Sequence, residues 1–122
     1  MNDWITSAES ALKSLKKDLS IPYEFENWNE DERGKMPDTF ITYFLVSDSS
    51  AASADNKERA SITKIQVSMF YRDIKVMRDT PKKIISAFTS NGFLRVNEGR
   101  IPFQKSTGHY GWRCDFNFYE RR

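Results

Sequence analysis

The chain of 122 residues has little of the chemistry that usually marks an enzyme or a metalloprotein. Its one cysteine, Cys114, excludes an intrachain disulfide and suits a reducing compartment. The five glycines are scattered and form no phosphate-binding loop. No apolar run approaches the roughly 18 residues of a membrane span, and the opening MNDWITSAES lacks the regions of a signal peptide. These absences predict a soluble intracellular protein.

The excess of positive over negative charge is also small. The net charge is +2, and the only basic pairs are Lys16-Lys17, Lys82-Lys83 and Arg121-Arg122. Tight binding to nucleic acid or to an anionic membrane normally requires a stronger basic run. Aromatic residues, at 14%, can supply a substantial core, and the length predicts a single domain over residues 1–122.

Candidate catalytic and metal-binding groups are few. Cys114 and His109 are five apart on a predicted strand, which turns them to opposite faces and excludes a Cys–His pair. Acidic residues cluster at Glu24, Glu26, Glu30, Asp31 and Glu32, but interspersed Arg33 and Lys35 indicate a solvated surface. We predict no catalytic, cofactor-binding or metal-binding residues and no cofactor. The alternative is an enzyme that uses Glu24 and Glu26 as acid and base.

Two amphipathic helices are predicted. The first begins after a capping Asn2 or Asp3 and ends before Pro22. Its apolar side chains recur every three or four residues: Trp4, Ala8, Ala11, Leu12, Leu15 and Leu19. The second begins at Thr80-Pro81 and ends at Asn91-Gly92.

Strands occupy most of the remainder. The pattern predicts a short strand at 23–28, longer ones at 39–46 and 62–71, a strand from Phe93 to Val96 that ends in a turn at Asn97-Glu98-Gly99, and a last strand at 110–118. Neighbouring strands without a helical crossover favour antiparallel pairing. The predicted fold class is therefore α+β, an antiparallel or mixed β-sheet with two α-helices on one face and an extended β-hairpin.

The polar segment 47–61, SDSSAASADNKERAS, separates the two longest predicted strands. A linker between domains would deprive both strands of a partner, so we interpret the segment as a flexible loop at the tip of a hairpin.

The strand before this loop is apolar on both sides. Its side chains alternate between two faces, with Phe40, Phe44 and Val46 on one and Ile41, Tyr43 and Leu45 on the other. A sheet with helices on one face has one core, so the second apolar face needs a partner, and contact between subunits is the simplest one. The alternative is that a loop or the first helix covers that face within the monomer.

These segments resemble a known family. The succession MPDTFITYFLVSDSSAASADN, ITKIQVSMFYR, DTPKKIISAFTSNGF and HYGWRCDFNFYE is similar to phage and prophage tail-terminator proteins, also called tail completion, head–tail joining or minor tail proteins. In that family a proline precedes an aromatic-rich strand, a small polar segment follows, and the chain ends in an aromatic strand. The resemblance covers residues 37 to 120 and includes no catalytic signature.

The resemblance implies a structural role in virion assembly. Such proteins form rings, commonly hexameric, that cap the tail tube, stop its polymerisation and join it to the head connector. We expect homo-oligomers built through the strands at 39–46 and 62–71, with tail-tube and head-completion proteins as partners, no membrane and at most weak DNA contact. The expected interface residues are Phe40, Phe44, Val46, Asp48, Asp55, Asn56, Lys57, Glu58 and Arg59. The expected location is the host cytoplasm during assembly and then the head–tail junction.

Two alternatives fit the same sequence. One is another head–tail connector or stopper component. The other is a small nucleic-acid-binding module that uses Trp28, Tyr110 and the Lys/Arg pairs.

Deleting Ser49 to Ala54 is expected to leave the melting temperature nearly unchanged and to weaken ring formation, because a polar loop adds contacts to a partner rather than to the core. Thermal unfolding and native mass spectrometry measure the two effects. A deletion that unfolds the protein would show that the segment belongs to the monomer's packed structure.

Overall fold

The computed structural model describes residues 3–26, 36–50 and 60–121, with the backbone alone at 49, 50, 60 and 121. In chain order its elements are α1 (Trp4–Leu19), β1 (Tyr23–Phe25), β2 (Thr39–Ser50), β3 (Ala60–Tyr71), a 3₁₀ helix (Ile74–Arg78), α2 (Thr80–Thr89), β4 (Phe93–Gln104) and β5 (His109–Arg121). The strands form one sheet in the order β1-β2-β3-β5-β4. Among the described strands, only the β1–β2 pair is parallel. The predicted α+β class with a mixed sheet is confirmed. Neither helix in the described part of the chain is long and apolar enough to span a membrane.

The first helix begins and ends as predicted. The Asp3 carboxylate accepts a hydrogen bond from the Thr6 backbone N–H at 2.8 Å, which satisfies one of the free donors of the first turn. The chain leaves the helix at Ser20, whose φ of 57° is in the left-handed region. Ala8, Ala11 and Leu12 are fully buried, so the predicted apolar stripe is the face that contacts the sheet.

The second helix covers the other half of the same face. Pro81 stands in its first turn, as predicted, and Ile84 and Phe88 are fully buried. The Phe88 ring stacks on Phe116 of β5 with ring centroids 4.9 Å apart and meets Phe93 of β4 edge-on at 5.3 Å. These aromatic contacts anchor α2 to the sheet.

The central hairpin is longer than predicted. Strands β2 and β3 pair from Thr39–Tyr71 to Ser50–Ser61, so residues 47–50 and 60–61 belong to strands rather than to the connection. Residues 51–59 lie outside the described residues. Deleting Ala51 to Ala54 therefore removes no residue that pairs between β2 and β3. It tests the predicted loop more directly than the deletion from Ser49 to Ala54.

The predicted turn at Asn97-Glu98-Gly99 is wrong. β4 continues through these residues to Gln104, and the turn to β5 lies at 105–108, where Gly108 has a φ of 78°. A bulge between Arg95 and Asn97 breaks the alternation of side chains. The Glu98 carboxylate accepts a hydrogen bond from the Trp112 indole at 3.1 Å. A polar residue in a turn-like tripeptide thus has a partner within the sheet.

Replacing Gly111 of β5 by alanine is expected to destabilise the fold by about 1–3 kcal/mol. A Cβ there would lie 2.5 Å from the Cβ of Ile101 on β4, so backbone would have to move. Urea denaturation measures the change in unfolding free energy. The control is Gly99→Ala on the same ladder, where the new Cβ meets the flexible end of Arg113 at 3.2 Å and a smaller loss is expected. Equal losses would contradict the steric explanation.

Candidate assembly interface

The sheet has two different faces. The helix face carries the core, which includes Ile65, Val67 and Phe116 beneath α1 and α2. We call the opposite side the second face. Its floor contains Phe40, stacked on Phe70 with centroids 5.1 Å apart, and His109, whose ring meets Phe40 edge-on at 5.2 Å. The prediction that β2 presents aromatic side chains to both faces therefore agrees with the geometry.

One end of the second face is closed by the chain itself. The Arg72 guanidinium donates to the carbonyls of Met36 (3.3 Å) and Thr107 (3.0 Å) and to the Asp38 carboxylate (2.9 Å). His109 donates from Nε2 to the Pro37 carbonyl at 2.8 Å. These bonds hold the segment before β2 and the β4–β5 turn together. As a result His109 is buried, with 1% of its surface exposed.

Above this floor lies a groove of about 500 Å³. Its lining combines polar and apolar side chains: Glu26, Met36, Phe40, Thr42, Phe44, Gln66, Ser68, Phe70, Ile101, Gln104, Thr107 and His109. Hydroxyl and amide groups beside aromatic rings can hold a protein segment by hydrogen bonds and contact area together. The second face therefore has the mixed polarity of a protein-binding surface, unlike the helix face, which carries the apolar core.

Phe40 and Phe44, both predicted to lie at an interface, take different positions on this face. Phe40 is 3% exposed and forms part of the floor. Phe44 is half-buried and lines the groove farther along β2. Phe40 therefore shapes the surface from below, while Phe44 is accessible to a partner. At the Phe40 end, the monomer covers its own apolar face, as the alternative interpretation expected.

A bulge separates the other two predicted residues from Phe40 and Phe44. The β2–β3 register shifts between Leu45 and Ser47, which leaves Val46 without a direct partner and 47% exposed. Beyond the bulge the alternation is reversed, and Asp48 lies on the helix face, where it accepts a hydrogen bond from Thr63 at 3.3 Å. Asp48 therefore does not share a face with Phe40 and Phe44. Asp55, Asn56, Lys57, Glu58 and Arg59 lie outside the described residues.

The sequence pattern did not predict that the sheet has an exposed outer edge beside Val46. β1 pairs with only three residues of β2, Ile41 to Tyr43. Next to this short strand, Phe25 is 47% exposed and Leu45 is 41% exposed. Sequence alternation assigned Leu45 to the core face, and it does point that way. Its exposure arises because it lies at the margin of the sheet, beyond the helices, which a strand pattern alone does not reveal.

A carboxylate on α1 holds this edge in place. Glu9 accepts hydrogen bonds from the hydroxyls of Tyr23 on β1, at 3.1 Å, and of Tyr43 on β2. Burial, followed by the interaction with Glu9, raises the pKa of both tyrosines above the usual 10.0, so both hydroxyls remain donors. The three side chains join helix and sheet at the position where β1 begins.

The strand at 62–71 cannot contribute an edge. β3 pairs with β2 on one side and with β5 on the other, so its backbone groups are already used. Side chains such as Gln66 reach only the second face, where its amide donates to Asp115 at 3.1 Å. Any side-by-side contact between sheets must instead use the outer edges, at β1–β2 and at β4.

The side chains that could perform chemistry are engaged elsewhere. Cys114 is fully buried on the helix face, away from His109, and burial followed by the Glu98 charge raises the pKa of its thiol to about 12. Glu24 and Glu26 are exposed, whereas Glu30, Asp31 and Glu32 lie outside the described residues. Within the described ranges, no three His, Cys, Asp or Glu side chains come together as a metal site.

Two aromatic side chains of β5 that could stack on bases, Trp112 and Tyr110, both contact other residues of the fold. Trp112 is 2% exposed. Tyr110 stacks on Tyr71 with centroids 5.7 Å apart and contacts Phe103 at 4.8 Å. Trp28 lies outside the described residues. Trp112 is thus unavailable for base stacking, whereas Tyr110 is 37% exposed and keeps part of its ring accessible.

Comparison with known proteins finds a solved structure with a similar fold but no matching family. No family model matches the chain, and no curated protein matches it. Among solved structures, the chain is similar to one in a structure described as "Virion of native gene transfer agent (GTA) particle". The TM-score is 0.50, the sequence identity is 10%, and the match covers 94% of each chain. At this identity the likeness shows a shared fold along nearly the whole chain.

Replacing Tyr43 by phenylalanine is expected to lower the unfolding free energy by about 1.5–3 kcal/mol, because the hydroxyl bonds to a charged carboxylate. Glu9→Ala should be at least as costly, since two hydroxyls lose their acceptor. A double-mutant cycle measured by urea denaturation tests the pair, with Glu9→Gln as the control that retains an acceptor oxygen. Strictly additive losses would contradict a direct interaction.

Proposed function

We propose that this protein is a structural subunit of a phage-like particle, of the tail-terminator type. Its copies form a ring, expected to be hexameric, that caps the tail tube, stops its polymerisation and joins it to the head connector. The observation that carries the proposal is the fold shared over 94% of both chains with a component of a gene transfer agent virion.

The chemistry of the described side chains favours assembly over catalysis. The thiol of Cys114 is buried with a raised pKa, and the His109 ring is used to hold Pro37. What the surface offers instead is a groove of mixed polarity on the second face and apolar side chains at the sheet margins. Such surfaces suit contacts between protein subunits.

The assignment to the tail end rests on the resemblance of residues 37 to 120 to tail terminators. The structure gives its opening motif, Met36-Pro37, a physical role, because Arg72 and His109 bind that segment across the start of β2. The shared fold would suit a connector or stopper of the same kind of particle equally well, and that is the alternative assignment.

The partners follow from this function. The subunit contacts its own copies, the tail-tube protein and a head-completion protein, and needs no cofactor. Residues Asp55, Asn56, Lys57, Glu58 and Arg59, which lie between β2 and β3 in the sequence, are proposed to contact a neighbouring subunit or the next ring. Their mixed charges provide steering between like subunits. DNA that passes through the ring would be bound weakly at a net charge of +2. The protein would reside in the host cytoplasm during assembly and then at the head–tail junction.

The test uses purified protein and the tail-tube protein of a phage-like particle. Added during tube polymerisation, the protein is expected to stop growth and to appear as a ring at one tube end in negative-stain electron micrographs. The control is the same chain added to finished tubes, whose length should stay constant while the end acquires the ring.

The outcomes separate the candidates. A protein that leaves tube growth unchanged but binds the particle's head or portal is a connector or stopper. A protein that binds neither tube nor head contradicts the proposed function. Activity on single-stranded nucleic acid in a salt-dependent gel shift, without particle binding, would support the nucleic-acid-binding alternative.

A further inference from the structure

The sheet has two outer edges with different chemistry. One is formed by β1 and by the part of β2 that extends beyond it, and the other is β4. We call the first the β1–β2 edge and define it by residues Glu24, Phe25, Glu26, Leu45, Val46 and Asp48. We call the second the β4 edge and define it by residues Leu94, Arg95, Val96, Arg100, Phe103 and Lys105. Within the described ranges, neither outer edge pairs with another strand.

The β1–β2 edge is apolar and acidic. Phe25, Leu45 and Val46 are between 41% and 47% exposed. Neither β1 nor β2 contains a lysine or an arginine, whereas Glu24 and Asp48 lie within them and Glu26 follows directly. Neither glutamate forms an ion pair in the part of the chain that the structure describes. This edge therefore presents uncompensated negative charge beside exposed apolar surface.

The β4 edge is apolar and basic. Leu94, Val96 and Phe103 are between 47% and 57% exposed. Arg95 pairs with Glu98 at 2.9 Å, an exposed pair, while Arg100 and the following Lys105 have no ion-pair partner among the described residues. The edge thus carries excess positive charge next to apolar side chains, the converse of the opposite edge.

We infer that the β1–β2 edge of one subunit binds the β4 edge of a second copy of this chain. The inference rests on the proposed function and specifies how the subunits of the ring meet. Negative charge flanks the apolar residues of one edge, and positive charge flanks those of the other. The two different edges therefore attract each other, whereas two identical edges repel. An interface between two different patches is heterologous, and its repetition closes a ring when the rotation between neighbouring subunits divides a full turn.

The positions within the sheet agree with this contact. Leu45, Ile65, Phe116 and Arg95 form one row across the sheet. At this row both edges have a bulge whose valine is exposed, Val46 on one side and Val96 on the other. A rotation about an axis along the strands moves a subunit sideways without reversing its faces. The helix-face residues of one edge, Leu45 among them, then lie beside the helix-face residues of the next, Arg95 among them.

Side chains, rather than a long backbone ladder, determine this contact. β4 has register shifts after Arg95 and after Ile101 and contains Pro102, which has no N–H to donate. A long continuous ladder between any two such edges is thereby prevented. Pairing is left to copies whose charges and apolar side chains match, which protects the protein from indiscriminate aggregation.

Two variants with one disabled edge each test the inference. The first carries Glu24→Lys and Val46→Lys, which places positive charge opposite the basic β4 edge. The second carries Val96→Glu and Arg100→Glu, which places negative charge opposite the acidic edge. All four positions are exposed, so folding should be retained. The control for the first variant is Asp18→Lys with Ile74→Lys, which makes the same change of charge at exposed sites on α1 and the 3₁₀ helix.

Native mass spectrometry and chemical cross-linking, with and without tail-tube protein, measure the association. The wild-type chain and the control are expected to give rings, and each edge variant alone is expected to give only the 14.3 kDa monomer. Mixing the two variants should restore association, because the first retains an intact β4 edge and the second an intact β1–β2 edge. An interface that uses the same patch twice would not be restored by mixing.

Rings formed by either variant alone, or a mixture that stays monomeric while the wild type assembles, would overturn the inference. A wild-type chain that remains monomeric even on tubes would overturn it as well. The proposed function fails separately: a mixture that associates while the wild type neither caps tubes nor binds heads supports the edge contact and removes the tail role.

Discussion

The rest of this structure depends on the burial of one set of side chains, from β3 and β5, beneath the two helices. Ile65, Val67 and Met69 of β3 and Cys114 and Phe116 of β5 are all fully buried. Removing such apolar surface from water supplies roughly 25 cal/mol per Å². Because side chains alternate along a strand, a shift of one residue in the pairing of either strand would turn its apolar side chains to the opposite face of the sheet. The core therefore sets the register of both central strands.

With these two strands fixed, the outer strands are free to be irregular. β2 and β4 both contain bulges, and both keep apolar side chains exposed at the margins of the sheet. The Glu9 carboxylate holds β1 and β2 to α1 through two tyrosines, which keeps one edge well defined although β1 has only three residues. A rigid centre with exposed, chemically distinct edges is a form suited to joining subunits. The groove of the second face adds a further surface, closed at one end by the contacts of Arg72.

Local patterns predicted those elements whose side chains follow a regular period. Both helices were found, the first with its capping Asp3 and the second with Pro81 in its first turn, because these residues act within a single turn; the N-cap of the second helix is Asp79. The strict alternation from Tyr110 to Phe118 identified β5 because one face of that strand is buried from Trp112 to Phe118. β4 was truncated at a false turn, because an edge strand with two bulges and little burial has no period to detect. The partner of Glu98, fourteen residues away, is not visible from local sequence.

The sequence by itself determined the α+β class, the two helices, the hairpin between the longest strands and the aromatic side chains on both faces of β2, all of which depend on residue periodicity. Only the tertiary structure decided which of those side chains a partner could contact. The order of strands left β3 in the interior and made β1 and β4 the edges. The bulge at Val46 moved Asp48 to the helix face, and contacts from Pro37 and Arg72 closed the surface over one end of the groove. Exposure depends on which elements lie above a residue, and residues distant in sequence supply them.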